Sequence, residues 1–352
     1  MRPSTSIRPA RRALQQLQKR AYSTPIPSKP RHLFSIADLT PLELNTLVLN
    51  ASSQKSALQS GTIPEAIKDA LKYKNIAMMF SKRSTRTRVS TESAITAMGG
   101  HSMFLGSQDI QLGVNESLRD TSVIISSMTA GMVARVGKHE EVTGLAEWSS
   151  VPVINALSSD FHPLQTIADF LTIFEALGKK SGKGLGVEGL KIAWVGDSNN
   201  VLFDLAIACQ KLGVHIAVAS PEGYGIPAYM RDIIIAASPM GQSLLTETTV
   251  PAEAIKNADV LVTDTWISMG QEEESAKRLK AFEGYQITEE MAKKGGANDG
   301  WKFMHCLPRH QEEVDDGVFY GRRSLVFHEG QNRLYAAVSA LEGFVVRKGE
   351  IA

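Results

Sequence analysis

The sequence predicts an α/β protein of two domains, each a parallel sheet flanked by helices. Three observations carry this expectation. The chain has 352 residues, and a domain typically takes ~100–200. Short apolar runs of strand length alternate with stretches of helix length, the order that builds parallel sheets covered on both faces. A stretch rich in Gly and Lys at 178–189 divides two such series, as a linker or exposed loop would.

The amino terminus stands apart. Residues 1–37 hold eight basic residues and no acid, so the rest of the chain carries 30 basic against 37 acidic residues. Serine is frequent there and apolar residues such as Leu14, Leu17 and Ala21 are sparse. This is the composition of an organelle transit peptide, not of a secretory signal, which needs an apolar core. The run Arg20, Ala21, Tyr22, Ser23 fits a mitochondrial processing pattern, so residues 1–22 are expected to be an address and not part of the fold. Pro25, Pro27 and Pro30 make an extended lead-in.

The first series opens with an apolar strand at 74–80, then a polar loop and a helix at 87–98 stopped by Gly99 and Gly100. Strands follow at 131–136 and 151–155. A helix runs from Pro163, suited to a first turn, to Leu177, with Gly178 beyond its end. The second series has strands at 191–196, 214–219, 260–263 and 303–307, with a helix near 201–212. A last helix, about 332–346, sets Leu334, Val338, Leu341 and Val345 on one apolar face.

Composition excludes several function classes. No apolar run approaches the ~20 residues of a membrane span. Near-zero net charge, 38 basic against 37 acidic residues, argues against a nucleic-acid binder. Two cysteines, Cys209 and Cys306, make no disulfide framework.

Ligands of such sheets gather beyond the carboxyl ends of the strands. After the first strand, residues 81–88 place four cations and four hydroxyls at a helix start, among them Ser84, Thr85, Arg86 and Thr87. Free backbone N–H groups, a positive dipole end and guanidinium forks make a phosphate cradle. It is not a P-loop, whose glycine framework is missing. Arg135 lies in an apolar strand, and a buried Arg needs an anion or a carbonyl oxygen. His162 and Gln165 sit three apart at a helix start; His162 can donate to a carbonyl, and Gln165 can donate or accept. Asn199 and Asn200 follow the strand at 191–196, where no Gly-x-Gly-x-x-Gly fingerprint appears. Asp264 and Ser268, Met269, Gly270 follow the strand at 260–263. Cys306 ends the last strand beside His305 and Pro308; an inert core cysteine is the commoner case, and its position raises that of a functional thiol.

Ser-Thr-Arg-Thr-Arg at 84–88, His-Pro-Leu-Gln at 162–165, Asp-x-x-x-Ser-Met-Gly at 264–270 and His-Cys-Leu-Pro-Arg at 305–309 together resemble the carbamoyltransferases. The first two motifs are shared by the aspartate and ornithine branches; the latter two resemble the ornithine branch. The resemblance runs from about residue 32 to the C-terminus. It implies a carbamoyl-phosphate domain over 32–165, an ornithine domain over 166–330, and a C-terminal segment, 331–352, returning as a helix to the first domain. It implies the reaction of carbamoyl phosphate with ornithine to give citrulline and phosphate, in the mitochondrial matrix, by a homotrimer with no metal and no organic cofactor. Ser84, Thr85, Arg86 and Thr87 then hold the phosphate. Arg135, His162, Gln165 and the backbone of Cys306 and Leu307 face the donor's carbamoyl end, and Arg333 is a further contact to its phosphate or carbamoyl group. Asn200, Asp264, Ser268 and Met269 hold ornithine, and Cys306 with Asp264 takes the amine's proton. The resemblance further implies a cis Leu307–Pro308 bond. In one place the chain departs from it: some relatives carry His where this chain has Gln111, a position thought to reach the donor across a subunit boundary. The rival readings are a sister transferase with another amine acceptor, an NAD-linked oxidoreductase, which the missing fingerprint opposes, and a polyanion-binding module, which the acidic remainder of the chain opposes.

Overall fold

A computed structural model describes residues 29–107, 116–179, 184–239, 241–267 and 274–351. Ser268, Met269, Gln111 and the segment 1–22 lie outside them.

The first half alternates strand and helix. Helix α1 (Pro41–Gln59) precedes β1 (Asn75–Phe80), α2 (Thr85–Ala97), β2 (His101–Gly106), α3 (Leu118–Met128), β3 (Gly131–Arg135), α4 (His139–Trp148), β4 (Val153–Leu157) and α5 (Pro163–Leu177). The four strands form one parallel sheet in the order β2–β1–β3–β4. The central strands β1 and β3 are buried almost throughout, whereas the edge strand β2 is partly exposed. This is why β1 and β3 read as continuous apolar runs and β2 does not.

The second half repeats the scheme. It holds β5 (Lys191–Val195), α6 (Asn200–Leu212), β6 (His215–Ala219), α7 (Ala228–Ala236), β7 (Leu245–Thr248), α8 (Pro251–Ile255), β8 (Val260–Val262), α9 (Ser275–Ala281), α10 (Glu289–Gly295), β9 (Lys302–Met304) and α11 (Asp316–Phe319). Its five strands are parallel in the order β7–β6–β5–β8–β9. The final helix, α12 (Val326–Leu341), packs on α1, α2 and α5 of the first half.

Side chains alternate across each sheet, as the strand period of two requires. Ile76, Met78 and Phe80 join one core, and Ala77 and Met79 join another on the opposite face. Ile192 and Trp194 part in the same way from Ala193 and Val195. The core that receives Ile76 and Met78 also receives Ile192 and Trp194. It therefore runs unbroken between the two sheets, through α1, α5, α6 and α12. Helix α5 is buried without interruption from Pro163 to Ile173, the pattern of a helix with no solvent face.

Three expectations shift. The stretch 178–189 is not simply exposed: Leu185 and Val187 are buried in the main core. The last helix starts six residues earlier than its apolar face indicates, at Val326, and passes into a π-helical turn over Glu342–Val346. Strand β9 ends at Met304, so His305, Cys306 and Leu307 belong to the following turn.

One buried carboxylate ties these parts together. Asp204 of α6 accepts from Ser35 Oγ at 2.6 Å and Ile36 N at 2.8 Å through one oxygen, and from His162 N at 2.8 Å through the other. Asp204→Asn must turn an N–H towards one of these donors. The expected outcome is a loss of about 1–3 kcal/mol of stability, read as a lowered urea midpoint at unchanged slope.

Candidate active site

A cleft of about 1170 Å³ opens at the carboxyl ends of both sheets. Its first wall is the start of α2. Ser84 caps that helix, its Oγ accepting from Thr87 N at 3.2 Å, which leaves the backbone donors of the first turn directed outward. Thr87 Oγ1 is a hub: Arg333 donates to it at 3.2 Å and Arg135 at 3.5 Å. Arg86 reaches across to the Leu307 carbonyl at 2.7 Å.

Charge has accumulated here. Arg135 and Arg333 are only 9% and 4% exposed, and each leaves Nε without a partner. Burial, then Arg333 and Arg86, pulls the Arg135 guanidinium down to about 10; burial brings Arg333 down to about 10 as well. His162 has Nδ1 unpartnered. Burial, and then Arg333, Arg135 and Arg86, holds its imidazole well below the usual histidine range, hence neutral. The wall is built for an anion that it does not itself contain.

Gln165 resolves the choice between donor and acceptor. Its amide nitrogen donates to Asp169 Oδ1 at 2.7 Å and Glu329 Oε1 at 2.8 Å, while its oxygen accepts from Arg333.

The second wall comes from the other sheet. Gly196, at φ +147°, follows β5; a Cβ there would lie 2.9 Å from Thr263 Oγ1. The turn that follows brings Asn199 to Asp264, amide to Oδ2 at 2.8 Å. Asp264 Oδ1 accepts from the Cys306 thiol at 3.1 Å. Burial, followed by the charges of Asp264 and Glu329, pushes that thiol well above its ordinary range. Cys306 is thus a neutral donor, not a thiolate. Asn200 donates to the Ser158 carbonyl at 2.6 Å and lines the cleft.

Leu307 sits at φ +65° before a cis Leu307–Pro308 bond. Its N–H donates to His305 Nδ1 at 2.9 Å, and its carbonyl is taken by Arg86. Glu313 braces the same turn, contacting His305 Nε2 at 3.0 Å and the backbone of Trp266 and His310. Asp264, His305 and Cys306 lie close enough to hold a metal ion, but both His305 ring nitrogens already have protein partners.

Thus Ser84, Thr85, Arg86, Thr87, Arg135, His162, Gln165 and Arg333 lie along one wall, and Asn200, Asp264, Cys306 and Leu307 along the other. Sequence reasoning missed the supports: Asn199 as the partner of Asp264, Asp169 and Glu329 behind Gln165, Glu313, and Arg278, which joins Asp197 at 2.7 Å to the Trp266 carbonyl at 3.0 Å. Asp169 and Glu329 had one available signal, their spacing of four from Gln165 and Arg333 on a shared helix face.

Comparison with known proteins gives the family. Residues 31–175 match the carbamoyl-P binding domain of aspartate/ornithine carbamoyltransferases, and residues 188–343 match the Asp/Orn binding domain. Over 330 residues the chain is 65% identical to the mitochondrial ornithine carbamoyltransferase of Aspergillus terreus, covering 93% of this chain and 91% of that one. It is 45% identical over 328 residues to the ornithine carbamoyltransferase of Saccharomyces cerevisiae, with 92% and 96% covered. The crystal structure of the mitochondrial enzyme of Coccidioides immitis matches with a TM-score of 0.86 at 62% identity, covering 92% of this chain and 100% of that one. The Pyrococcus furiosus ornithine carbamoyltransferase matches at 0.83 and 38%, with 90% and 97% covered. The chain belongs to the aspartate/ornithine carbamoyltransferase family, and within it to the mitochondrial ornithine carbamoyltransferase type.

Proposed function

We propose that this cleft transfers the carbamoyl group of carbamoyl phosphate to the δ-amine of L-ornithine, releasing L-citrulline and phosphate. The observation that carries the reading is the cluster of Arg86, Arg135 and Arg333 around Thr87, facing the Asp264–Cys306 pair across one cleft. Residues 32–165 bind the donor, 166–330 bind the acceptor, and 331–352 carry Arg333 back to the donor side.

The phosphate lies on the start of α2 between the three guanidiniums, with Ser84, Thr85 and Thr87 supplying further donors. Neutral His162 and Arg135 donate to the carbamoyl oxygen, where negative charge develops as the amine attacks. The Gln165 oxygen accepts from the carbamoyl N–H. Asp264, with Asn200, Ser268 and Met269, orients the amino acid. The attacking amine must shed a proton. It passes to Cys306 sulfur as the thiol proton moves to Asp264 Oδ1, so the thiol is a relay and the carboxylate is the acceptor. The C–N bond forms, the C–O bond to phosphate breaks, and the guanidiniums hold the departing phosphate. Positioning and electrostatics account for this chemistry without metal or cofactor.

The protein acts in the mitochondrial matrix, and residues 1–22 are its address; the mitochondrial names of the relatives and the acid-free amino terminus support this. It assembles as a homotrimer. The apolar face of α3, with Val123, Ile124 and Met128 exposed, supports an interface between copies.

Citrulline formation from the two substrates by the purified protein tests the reading directly. Arg86→Ala should weaken carbamoyl phosphate binding about tenfold or more, the worth of a charge-assisted hydrogen bond, with the circular dichroism spectrum unchanged; calorimetry measures it. Asp264→Asn should cut citrulline turnover far more than carbamoyl phosphate affinity, because it removes the proton acceptor from the second wall. The reverse pattern would place Asp264 on the donor side. Deleting residues 1–22 should leave the purified enzyme's turnover intact and abolish import into isolated mitochondria.

A further inference from the structure

Behind Gln165 lie two fully enclosed carboxyl groups that the reaction just described does not use. Asp169 stands one turn along α5 from Gln165, and Glu329 lies on α12 one turn before Arg333. They are 3% and 2% exposed. They bond to one another, and each accepts one hydrogen of the Gln165 amide, at 2.7 and 2.8 Å. The second oxygen of Glu329 accepts from His305 N at 2.9 Å, the first residue of the turn that carries Cys306.

This arrangement fixes the direction of one amide. A glutamine amide can rotate by half a turn and exchange its oxygen and nitrogen. Here, rotation would set the Gln165 oxygen against two carboxyl oxygens and its N–H against the Arg333 guanidinium. Both contacts would turn repulsive. The carboxyl pair therefore keeps oxygen, and only oxygen, at the end of Gln165 turned to Arg333 and the cleft. Two carboxyls in contact do not both ionise, and burial pushes both upward, Glu329 further by the charge of Asp169 and Asp169 further by that of Asp264. Held together by a shared proton, the pair stays a rigid acceptor for the amide near neutral pH. Arg333 on one side, Cys306 and Asp264 on the other, and Cys209 beside Asp169 are the ionisable groups that face it.

We propose that Asp169 and Glu329 are positioning residues that set donor specificity, holding Gln165 with its oxygen towards the cleft so that the site selects a donor bearing N–H over one bearing a methyl group. The proposal rests on the reading that the cleft takes carbamoyl phosphate. It concerns the choice among acyl phosphates, which that reading leaves open.

The test compares three ligands by calorimetry on the full-length protein: carbamoyl phosphate, acetyl phosphate, which has a methyl group in place of the amide, and inorganic phosphate, which has neither. Wild type should prefer carbamoyl over acetyl phosphate about tenfold or more, since the methyl group of the latter offers the Gln165 oxygen no N–H beyond that of Arg333. Glu329→Leu and Asp169→Ser should bring that ratio to within about threefold of unity while inorganic phosphate binds within about threefold of wild type. Asp169→Asn can accept from Gln165 through its oxygen and donate to Glu329 through its nitrogen, so it should restore the preference. The proposal is overturned if the Leu and Ser variants keep the wild-type ratio, if they weaken all three ligands equally, or if both fail to fold, which would make the pair purely structural. Citrulline formation by wild type is measured alongside. Its absence would sink the functional reading itself, whereas citrulline formed with an unchanged ligand ratio in the variants sinks only this inference.

Discussion

The uncompensated charge at the start of α2 is the constraint on which the rest depends. Burying a guanidinium is costly unless a partner meets it, yet Arg135 and Arg333 are buried beside Arg86 and share a neutral hydroxyl, that of Thr87. The Asp169–Glu329 carboxyl pair stands one residue removed, behind Gln165. A carboxylate placed directly against these arginines would relieve the strain and occupy the anion's seat. The structure instead spreads the compensation through an amide, keeping the pocket positive and His162 neutral.

Holding such a cluster in register needs a rigid frame, and the frame is shared by both halves. Arg135 ends β3, Arg86 and Thr87 open α2, His162 and Gln165 open α5, and Arg333 arrives on α12. One apolar core joins α5 and α12 to both sheets. The turn bearing Cys306 is fastened to that frame twice, by Glu329 at His305 N and by Arg86 at the Leu307 carbonyl. Donor wall and acceptor wall are therefore coupled by hydrogen bonds as well as by packing.

The sequence made legible whatever depends on local pattern. The central strands β1, β3, β5 and β6 were visible as apolar runs because both their faces are covered. Strands β2 and β7 were not, since as edge strands they leave side chains in solvent. Helix α1 was missed because its buried positions include Gln54 and Lys55 and its surface is rich in Ser and Asn; the capping box of Thr40 and Glu43 around Pro41 was its available mark. The arginines and Asp264 announced themselves as charges at strand ends. Their supports did not. Asp169, Glu329 and Glu313 look in sequence like ordinary helix or loop acids, and only tertiary structure buries them against glutamine and histidine. The direction of the Gln165 amide is a property of two helices far apart in the chain.

The Ser84 cap and the arginine cluster above it have a consequence for the life of the protein. A folded state that stores unmatched positive charge gains most from the ligand that matches it, and the unfolded chain gains nothing. At a ligand concentration one hundred times its dissociation constant, such linkage is worth about 2.7 kcal/mol, a sizeable share of the ~5–15 kcal/mol that separates native from unfolded domains. The donor anion is in effect the last piece of the first domain's structure. The amount of folded enzyme that survives proteolysis is thereby tied to the supply of its own substrate.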